Sequence, residues 1–376
     1  MAIGLQNAGF SHCALFEWDD HSCENLRRNI VCSDSNEMKN WRIFQTDVRH
    51  VDFRKFDGKI DVVAGGPPCQ PFSLGGKGLS YNDKRDMFSE AVRAVREIKP
   101  KAFIFENVRG LLRKSFSTYF NYILLQLTYP EVTKSEDMSW EKHLAILEEQ
   151  HTQSYHHCLN YNVTFRLVNA ADYGIPQQRH RVFIVGFRSD INANWSFPLP
   201  THNQDELLYS KWIDHSYWDE FGLAHPRTCP LSQKTLSRIT ASHNELFGAK
   251  KRWQTVRNAL AGLPSPLSEE AKFFNNHIYR GGAKIYPGHS GSLLDEPSKT
   301  IKAGSHGVPG GENMLCDSNG QLRYYTVRES ARIQTFPDTY LFSSSWTESM
   351  RQIGNAVPVK LAEIVGKSVV NQLSSL

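Results

Sequence analysis

The sequence has few cysteines and no long apolar run, and each shortage excludes a class of protein. Seven cysteines occur in 376 residues, an odd number, and no two of them have CxxC spacing. A disulfide framework or zinc knuckle is therefore not expected, and a reducing cytoplasm fits. No apolar stretch approaches the length of about 20 residues that crosses a bilayer. The first residues are neither basic nor strongly apolar, so no signal peptide is expected.

Charge and composition describe a globular chain with a mildly basic surface. Hydrophobic residues make up 40% and charged residues 22%, which is compatible with a packed core. The net charge of +4 permits a polyanionic partner but does not require one. A chain of this length suits one large α/β domain with a smaller second domain.

Short apolar runs alternate with helical stretches in the first half of the chain. Strands are predicted at 13–18, 61–64, 101–105 and 181–187. Helices are predicted at 20–29 and 87–98, and Asp19 or Asp20 is expected to be the N-cap of the first. This alternation predicts an α/β fold with a doubly wound, mostly parallel sheet. Ligands of such sheets bind at the carboxyl ends of the strands, where Glu17, Asp47, Cys69 and Glu106 fall.

The character of the sequence changes at about residue 190. From 190 to 325 the helical period is weak, and Gly, Pro and Ser are frequent. We therefore predict a first domain over 1–189, a smaller, loop-rich domain of irregular β character over 190–325, and a C-terminal segment, 326–376, that returns to the first domain. Further helices are predicted at 327–334 and 359–373. The polar stretch 132–153 is interpreted as an insertion between core elements.

The segment from Gly65 to Ser73, GGPPCQPFS, places one cysteine in a loop with three prolines after a predicted strand. Proline fixes φ and removes a backbone donor, so the loop is stiff. A stiff loop suits a nucleophile that must be held in place. A small buried cysteine in a tight turn is the structural alternative, and the residues alone leave both open.

Two further segments carry chemistry-bearing side chains. Glu106 directly follows the apolar run AFIF, and burial there would raise the pKa of its carboxyl and let it donate a proton. Arg179 and Arg181 alternate along an entering strand, and their forked donors suit a phosphate or a carbonyl oxygen. An ordinary turn acid and a solvated charge pair are the respective alternatives. The stretch 352–358, read alone, is only a turn beside a helix.

Taken together, these segments resemble a known enzyme family. The order GGPPCQPFS, ENV, QxRxR, RESARIQTFPD (328–338) and GNAVPV (354–359) resembles the bacterial DNA (cytosine-5) methyltransferases of restriction–modification systems. The resemblance extends from Gly4 to the C-terminus, apart from 190–325, where that family varies. It implies a Rossmann-like methyltransferase sheet, with target recognition in the variable region.

The resemblance implies roles for the catalytic and substrate-binding residues. Cys69 is the expected nucleophile at carbon 6 of cytosine, which makes carbon 5 nucleophilic. Glu106 is expected at ring nitrogen 3 and the exocyclic amine, and Arg181 at the carbonyl oxygen, with Arg179 as a further catalytic residue. Gln70, Ser73 and Gln177 complete the expected substrate site. The base must leave the duplex for this chemistry.

S-adenosylmethionine is the cofactor that the resemblance implies. Glu17 resembles the acid that binds the ribose hydroxyls, and Trp18 the aromatic residue beside adenine. Asp47 resembles the acid that contacts the adenine amine. Pro68 and Asn355 are expected to line the methionine end. No metal is expected.

The start of the chain departs from the family pattern. Family members open with a strand and a glycine-rich loop, roughly DLFxGxGG, before a helix ending like GLQNAGF, whereas this chain starts inside that helix. We therefore expect no strand between those at 13–18 and 61–64. A truncated or mis-started chain is favoured over a split enzyme completed by another polypeptide, or a degenerate gene.

The expected partner is double-stranded DNA, bound by a monomer in the bacterial cytoplasm at the nucleoid. The glycine-rich stretch 299–311, which carries two lysines, is the best candidate for a DNA-facing loop, with an ordinary surface loop as the alternative. Three other hypotheses remain: an RNA cytosine-5 methyltransferase acting on transfer RNA, a non-catalytic DNA-binding subunit, and a metal protein. The last would use His151, His156, His157 and Cys158.

Overall fold

The computed structural model describes residues 1–33, 35–68, 87–153, 159–243, 250–284, 290–303, 313–317 and 320–375. The helices in these ranges are Ala2–Asn7 (α1), Asp20–Cys32 (α2), Asn36–Lys39 (α3), Phe88–Ile98 (α4), Ser117–Thr128 (α5), Trp140–Gln153 (α6), Gln204–Trp212 (α7), Ser216–Glu220 (α8), Gln233–His243 (α9), Val256–Leu260 (α10), Val327–Ile333 (α11), Trp346–Asn355 (α12) and Val359–Ser374 (α13). The strands are Leu15–Glu17 (β1), Ile43–Gln45 (β2), Val62–Gly65 (β3), Ala102–Val108 (β4), Tyr161–Asn169 (β5), His180–Arg188 (β6), His202–Asn203 (β7), Lys251–Arg252 (β8), Ser292–Leu293 (β9), Met314–Cys316 (β10) and Leu322–Tyr324 (β11).

The helices predicted from periodicity and capping are confirmed. Helix α2 starts after Asp19, whose side chain accepts a hydrogen bond from the Ser22 amide at 2.8 Å. Helix α4 ends at Ile98, and its C-cap Lys99 adopts φ 52° directly before Pro100. Helix α11 begins with a capping box between Thr326 and Glu329. Helices α5 and α12 were not predicted. No helix in the described ranges has both the length and the apolarity needed to span a bilayer.

The central sheet has the strand order β3-β4-β6-β5. The predicted α/β class is confirmed, with one difference in strand direction. Strands β3 and β4 are parallel, but β6 is antiparallel to both β4 and β5. The β5–β6 connection spans only residues 170–179, too few for the helical crossover that parallel neighbours need.

Strand β4 is buried on both faces, which explains its uninterrupted apolar run. Phe103 and Phe105 pack into one core cluster with α4 and α5, whereas Ala102 and Ile104 pack into another with α1 and α13. Successive strand residues point to opposite faces, so a continuous apolar run requires a cover on each side. Helices on both faces therefore give the doubly wound arrangement.

Strands β1 and β2 form a separate parallel pair. Among the described strands, β3 pairs with β4. The expectation that no strand lies between those at 13–18 and 61–64 stays a prediction. Phe16 of β1 and Val63 of β3 pack against the same cluster, which contains Phe53 and Ala94.

The region 190–325 contains helices as well as short strands, which differs from the expected β character. Helix α7 begins with Asn203, whose side chain accepts from the Glu206 amide at 2.8 Å. Its buried Lys211 donates to the Asp295 carbonyl at 2.8 Å. Contacts of this polar kind stabilise a helix without an apolar stripe, so periodicity does not reveal it. The domain boundaries at 189 and 325 remain predictions.

Candidate active site

A buried ion pair lies at the end of the central sheet. Arg181 Nε and Glu106 Oε1 are 2.7 Å apart, and their side chains are 13% and 10% exposed. Arg181 lies opposite Val108 in the β4–β6 register, so Glu106 is its diagonal neighbour on the same face. The sheet register therefore brings together two residues that are 75 positions apart in the sequence.

Burial and charge act against each other at this pair. Burial lowers the pKa of Arg181, whereas the charge and the hydrogen bond of Glu106 oppose that shift. Each of the two side chains therefore stabilises the charge of the other in a poorly solvated environment. A ligand that contacts either side chain meets a preorganised polar pair.

The segment before Cys69 lies against Glu106. A β-carbon added to Gly66 would be 3.3 Å from Glu106 Oε2, so the backbone passes close to the carboxylate. Asn107 donates to the Pro67 carbonyl at 2.9 Å, and the Met87 amide donates to the Pro68 carbonyl at 3.0 Å. Residues 66–68 therefore lie beside Glu106 and Asn107, and Met87 lies beside Pro68. Cys69, Gln70 and Ser73 lie outside the described residues.

Arg179 and Gln177 are fully buried and contact the backbone of distant segments. Arg179 donates to the carbonyls of Ile301, Gly354 and Ala356 at 2.8, 2.6 and 3.0 Å. Burial lowers the pKa of Arg179 strongly, with Arg181 adding to the shift. Arg179 therefore binds the backbone of distant segments and does not face an open cleft.

Gln177 forms a second buried contact to the C-terminal segment. It donates to the Gln334 side chain at 3.1 Å and accepts from the Ile301 amide at 3.0 Å. Gln334 donates in turn to the Ile353 carbonyl at 2.7 Å. Gly354 permits the close approach of this segment, because a β-carbon there would lie 2.3 Å from the Ala303 amide nitrogen.

The predicted cofactor residues Glu17 and Trp18 lie at the end of β1. The Glu17 carboxylate accepts from the Trp18 and Asp19 amides at 2.9 and 3.0 Å, which fixes its orientation. The Trp18 side chain is 74% exposed and leaves an aromatic face open to a ligand. An oriented acid beside an open ring fits a ribose and an adenine, and so fits S-adenosylmethionine.

Asp47 is oriented differently from Glu17. Its carboxylate accepts from the Arg49 amide at 3.0 Å and pairs with the Arg49 guanidinium. The hydrogen bonds from Arg49 lower the pKa of Asp47 to about 2. A contact to an adenine amine must therefore compete with Arg49. Pro68 and Asn355 are both exposed, as residues lining an open cleft would be.

Sequence reasoning missed the contacts between α2 and α12. Asp19 and Arg351 form an ion pair at 2.9 Å, and the buried Asn25 donates to Gln352. The sequence signal that could have indicated these contacts is the pair Asn25 and Asn29, which lie on one face of the helix. Two amides on an otherwise buried face require specific hydrogen-bond partners.

The hypothetical metal site stays a prediction, because only one of its four residues lies within the described ranges. His151 Nδ1 lies 2.9 Å from the Tyr129 hydroxyl, and His156, His157 and Cys158 lie outside the described residues. Within the described part of the chain, no group of three or more His, Cys, Asp or Glu side chains could hold a metal.

Comparison with known proteins gives the family. A model of C-5 cytosine-specific DNA methylases matches residues 1–129 and 148–371, omitting a stretch that overlaps the predicted insertion. Type II methyltransferase M.PspPI of Psychrobacter sp. strain TA137 is 30% identical over 100% of this chain and 77% of its own length. M.NgoMIV of Neisseria gonorrhoeae is 31% identical over 99% and 94%. The S. pombe Dnmt2 methyltransferase, 16% identical with a TM-score of 0.55, covers 100% of this chain and 95% of its own and shares the fold. The chain therefore belongs to the C-5 cytosine-specific DNA methylase family and is a DNA (cytosine-5) methyltransferase.

Proposed function

We propose that this enzyme methylates carbon 5 of cytosine within a specific duplex DNA sequence, by base flipping and a covalent Cys69 adduct. The observation that carries the proposal is the buried Glu106–Arg181 pair, with Gly66 against Glu106 and Pro68 directly before Cys69. S-adenosylmethionine, when bound, supplies an electrophilic methyl group. Glu17, Trp18 and Asn355 would hold it, with Asp47 and Pro68 alongside.

Each catalytic residue has one task in this mechanism. The Cys69 thiolate adds to carbon 6 of the flipped cytosine while Glu106, in its protonated form, gives a proton to ring nitrogen 3, so the adduct does not accumulate negative charge. Arg181 binds the carbonyl oxygen and keeps its contact with Glu106. After methylation, the carbon-5 proton is lost to water and the thiolate leaves carbon 6. Ring nitrogen 3 returns its proton to Glu106, which restores the aromatic ring.

Other residues orient this pocket. Gln70 and Ser73 adjoin Cys69 in the sequence and are proposed to contact the substrate. Arg179 and Gln177 act through the backbone of residues 301 and 353–356, so they order the pocket that receives the base. Rigid support of this kind places reacting groups within the narrow tolerance that catalysis needs.

The biological setting is proposed from the relatives. M.PspPI and M.NgoMIV are named type II methyltransferases, and we assign this chain to a restriction–modification system. We propose that the enzyme acts as a monomer on DNA in the bacterial cytoplasm. The region 190–325 is proposed to select the target, with 299–311 facing the DNA; residues 304–311 lie outside the described ranges. Bisulfite sequencing of DNA from expressing cells tests the activity and identifies the site. Unconverted cytosines that share no common surrounding sequence would contradict the proposed sequence-specific methylation.

Salt dependence distinguishes a DNA substrate from an RNA substrate. Duplex affinity is expected to fall log-linearly with salt, because phosphate contacts release counterions. Six or more such contacts would lower it about 10³-fold between about 50 and 200 mM salt. Fluorescence anisotropy with a labelled duplex measures this, with transfer RNA as competitor. Equal or tighter binding of transfer RNA at matched salt would favour the RNA methyltransferase.

A further inference from the structure

Helix α2 buries two asparagine side chains where apolar residues would be expected. Asn25 and Asn29 are 1% and 4% exposed and lie one turn apart on the same face. Burying an amide is unfavourable unless its donors and acceptor are hydrogen-bonded. The partners of these two residues therefore indicate what the face is built to hold.

The partners belong to the C-terminal part of the chain. Asn29 accepts from the Leu341 amide at 2.8 Å and donates to the Leu341 carbonyl at 2.9 Å, as a neighbouring strand would. Asn25 accepts from the Ser343 amide at 2.8 Å and donates to Gln352 of α12. Helix α2 thus binds both the segment that enters α12 and α12 itself.

An ion pair joins the same two helices nearer the candidate cofactor site. Arg351 of α12 contacts Asp19 at 2.9 Å. Asp19 caps α2, and its amide donates to the Glu17 carboxylate at 3.0 Å. A continuous series of contacts therefore runs from Glu17 through Asp19 and Arg351 to the helix that ends at Asn355.

We infer that Asp19, Asn25 and Arg351 are positioning residues that hold Glu17 and Trp18 in register with Asn355. The inference rests on the proposed function, which places those three residues around S-adenosylmethionine. The positioning residues act through the helices that carry the site. They should therefore determine how well Glu17 and Trp18 on one side and Asn355 on the other fit the same S-adenosylmethionine molecule. Their loss should weaken cofactor binding and leave the chemical step nearly unchanged.

The structure offers a matched control on the opposite side of the same segment. Asn276 accepts from the Phe342 amide at 3.0 Å and donates to its carbonyl at 2.8 Å, but it belongs to the variable region. Asn276→Ala removes the same kind of clamp from the neighbouring residue without touching α2. A purely structural role for these clamps predicts equal effects of Asn25→Ala and Asn276→Ala.

The experiment measures KM for S-adenosylmethionine, kcat and hydrogen exchange in the full chain. Asn25→Ala and Arg351→Ala are expected to raise KM by about 5- to 50-fold, which lies within the usual range for coupled sites, with kcat nearly constant. Arg351→Lys should recover part of the loss, because it keeps the charge next to Asp19. Without cofactor, both alanine variants should exchange faster over 352–356 than Asn276→Ala.

Three outcomes separate the hypotheses. Unchanged KM and unchanged exchange in Asn25→Ala would overturn the inference while methylation by the wild type upholds the proposed function. An equal rise of KM in Asn276→Ala would also overturn it, since the effect would then be general loosening. A wild-type chain that transfers no methyl group to DNA would contradict the proposed function, and this inference with it.

Discussion

Cys69→Ser is expected to abolish methyl transfer while leaving duplex DNA binding largely intact. A serine hydroxyl is far less ionised near neutral pH than a thiol, and the thiolate is the attacking species. Transfer of a labelled methyl group to DNA in a single turnover measures the loss. Cys229→Ser, at an exposed cysteine in the variable region, is the matched control and should retain activity.

Trapping of the covalent adduct tests the same step directly. In DNA with 5-fluorocytosine at the target, the fluorine cannot leave as the carbon-5 proton does, so a Cys69 adduct should persist under denaturing conditions. The wild type and Cys229→Ser should give this adduct, and Cys69→Ser should not. Methyl transfer by Cys69→Ser at more than a few per cent of the wild-type rate would disprove covalent catalysis by Cys69.

Glu106→Gln is expected to slow the chemical step by about 100-fold or more, the usual range for general acid–base catalysis. The amide keeps the shape of the side chain but cannot deliver the proton to ring nitrogen 3. Single-turnover rates at saturating DNA and cofactor measure this effect. DNA affinity should change little, because Glu106 is buried near the carboxyl end of β4.

The control for Glu106→Gln lies at the other end of β6, the strand that carries Arg181. Arg188 and Asp190 form an ion pair of the same 2.7 Å length as Arg181 and Glu106, but Asp190 is exposed. Asp190→Asn should therefore leave the rate unchanged. Glu106→Gln also leaves the buried Arg181 without a counter-charge, which is destabilising. Thermal unfolding of both variants shows whether the slow enzyme is folded, and an unchanged rate in folded Glu106→Gln would exclude proton donation.

Several elements could be predicted because their signals are local. A capping aspartate before a polar helix predicted α2, and an apolar run predicted β4. The antiparallel direction of β6 could not be predicted, because it depends on which strand edge is free and on the short connection from β5. The helices of 190–325 were missed, since buried polar contacts such as that of Lys211 leave no periodic pattern in the sequence.

The sequence by itself determined the chemistry that the enzyme has available: one cysteine in a proline-stiffened loop, an acid after an apolar strand, and the alternating Gln177, Arg179 and Arg181. Only the tertiary structure decided how these side chains divide their tasks. Strand register paired Arg181 with Glu106, while Arg179 was turned to the backbone of residues 301, 354 and 356. Alternation along a strand specifies a face, but the partner on that face depends on segments that lie 75 to 177 residues away in the sequence. The contacts of Asn25 and Asp19 with α12 have the same origin.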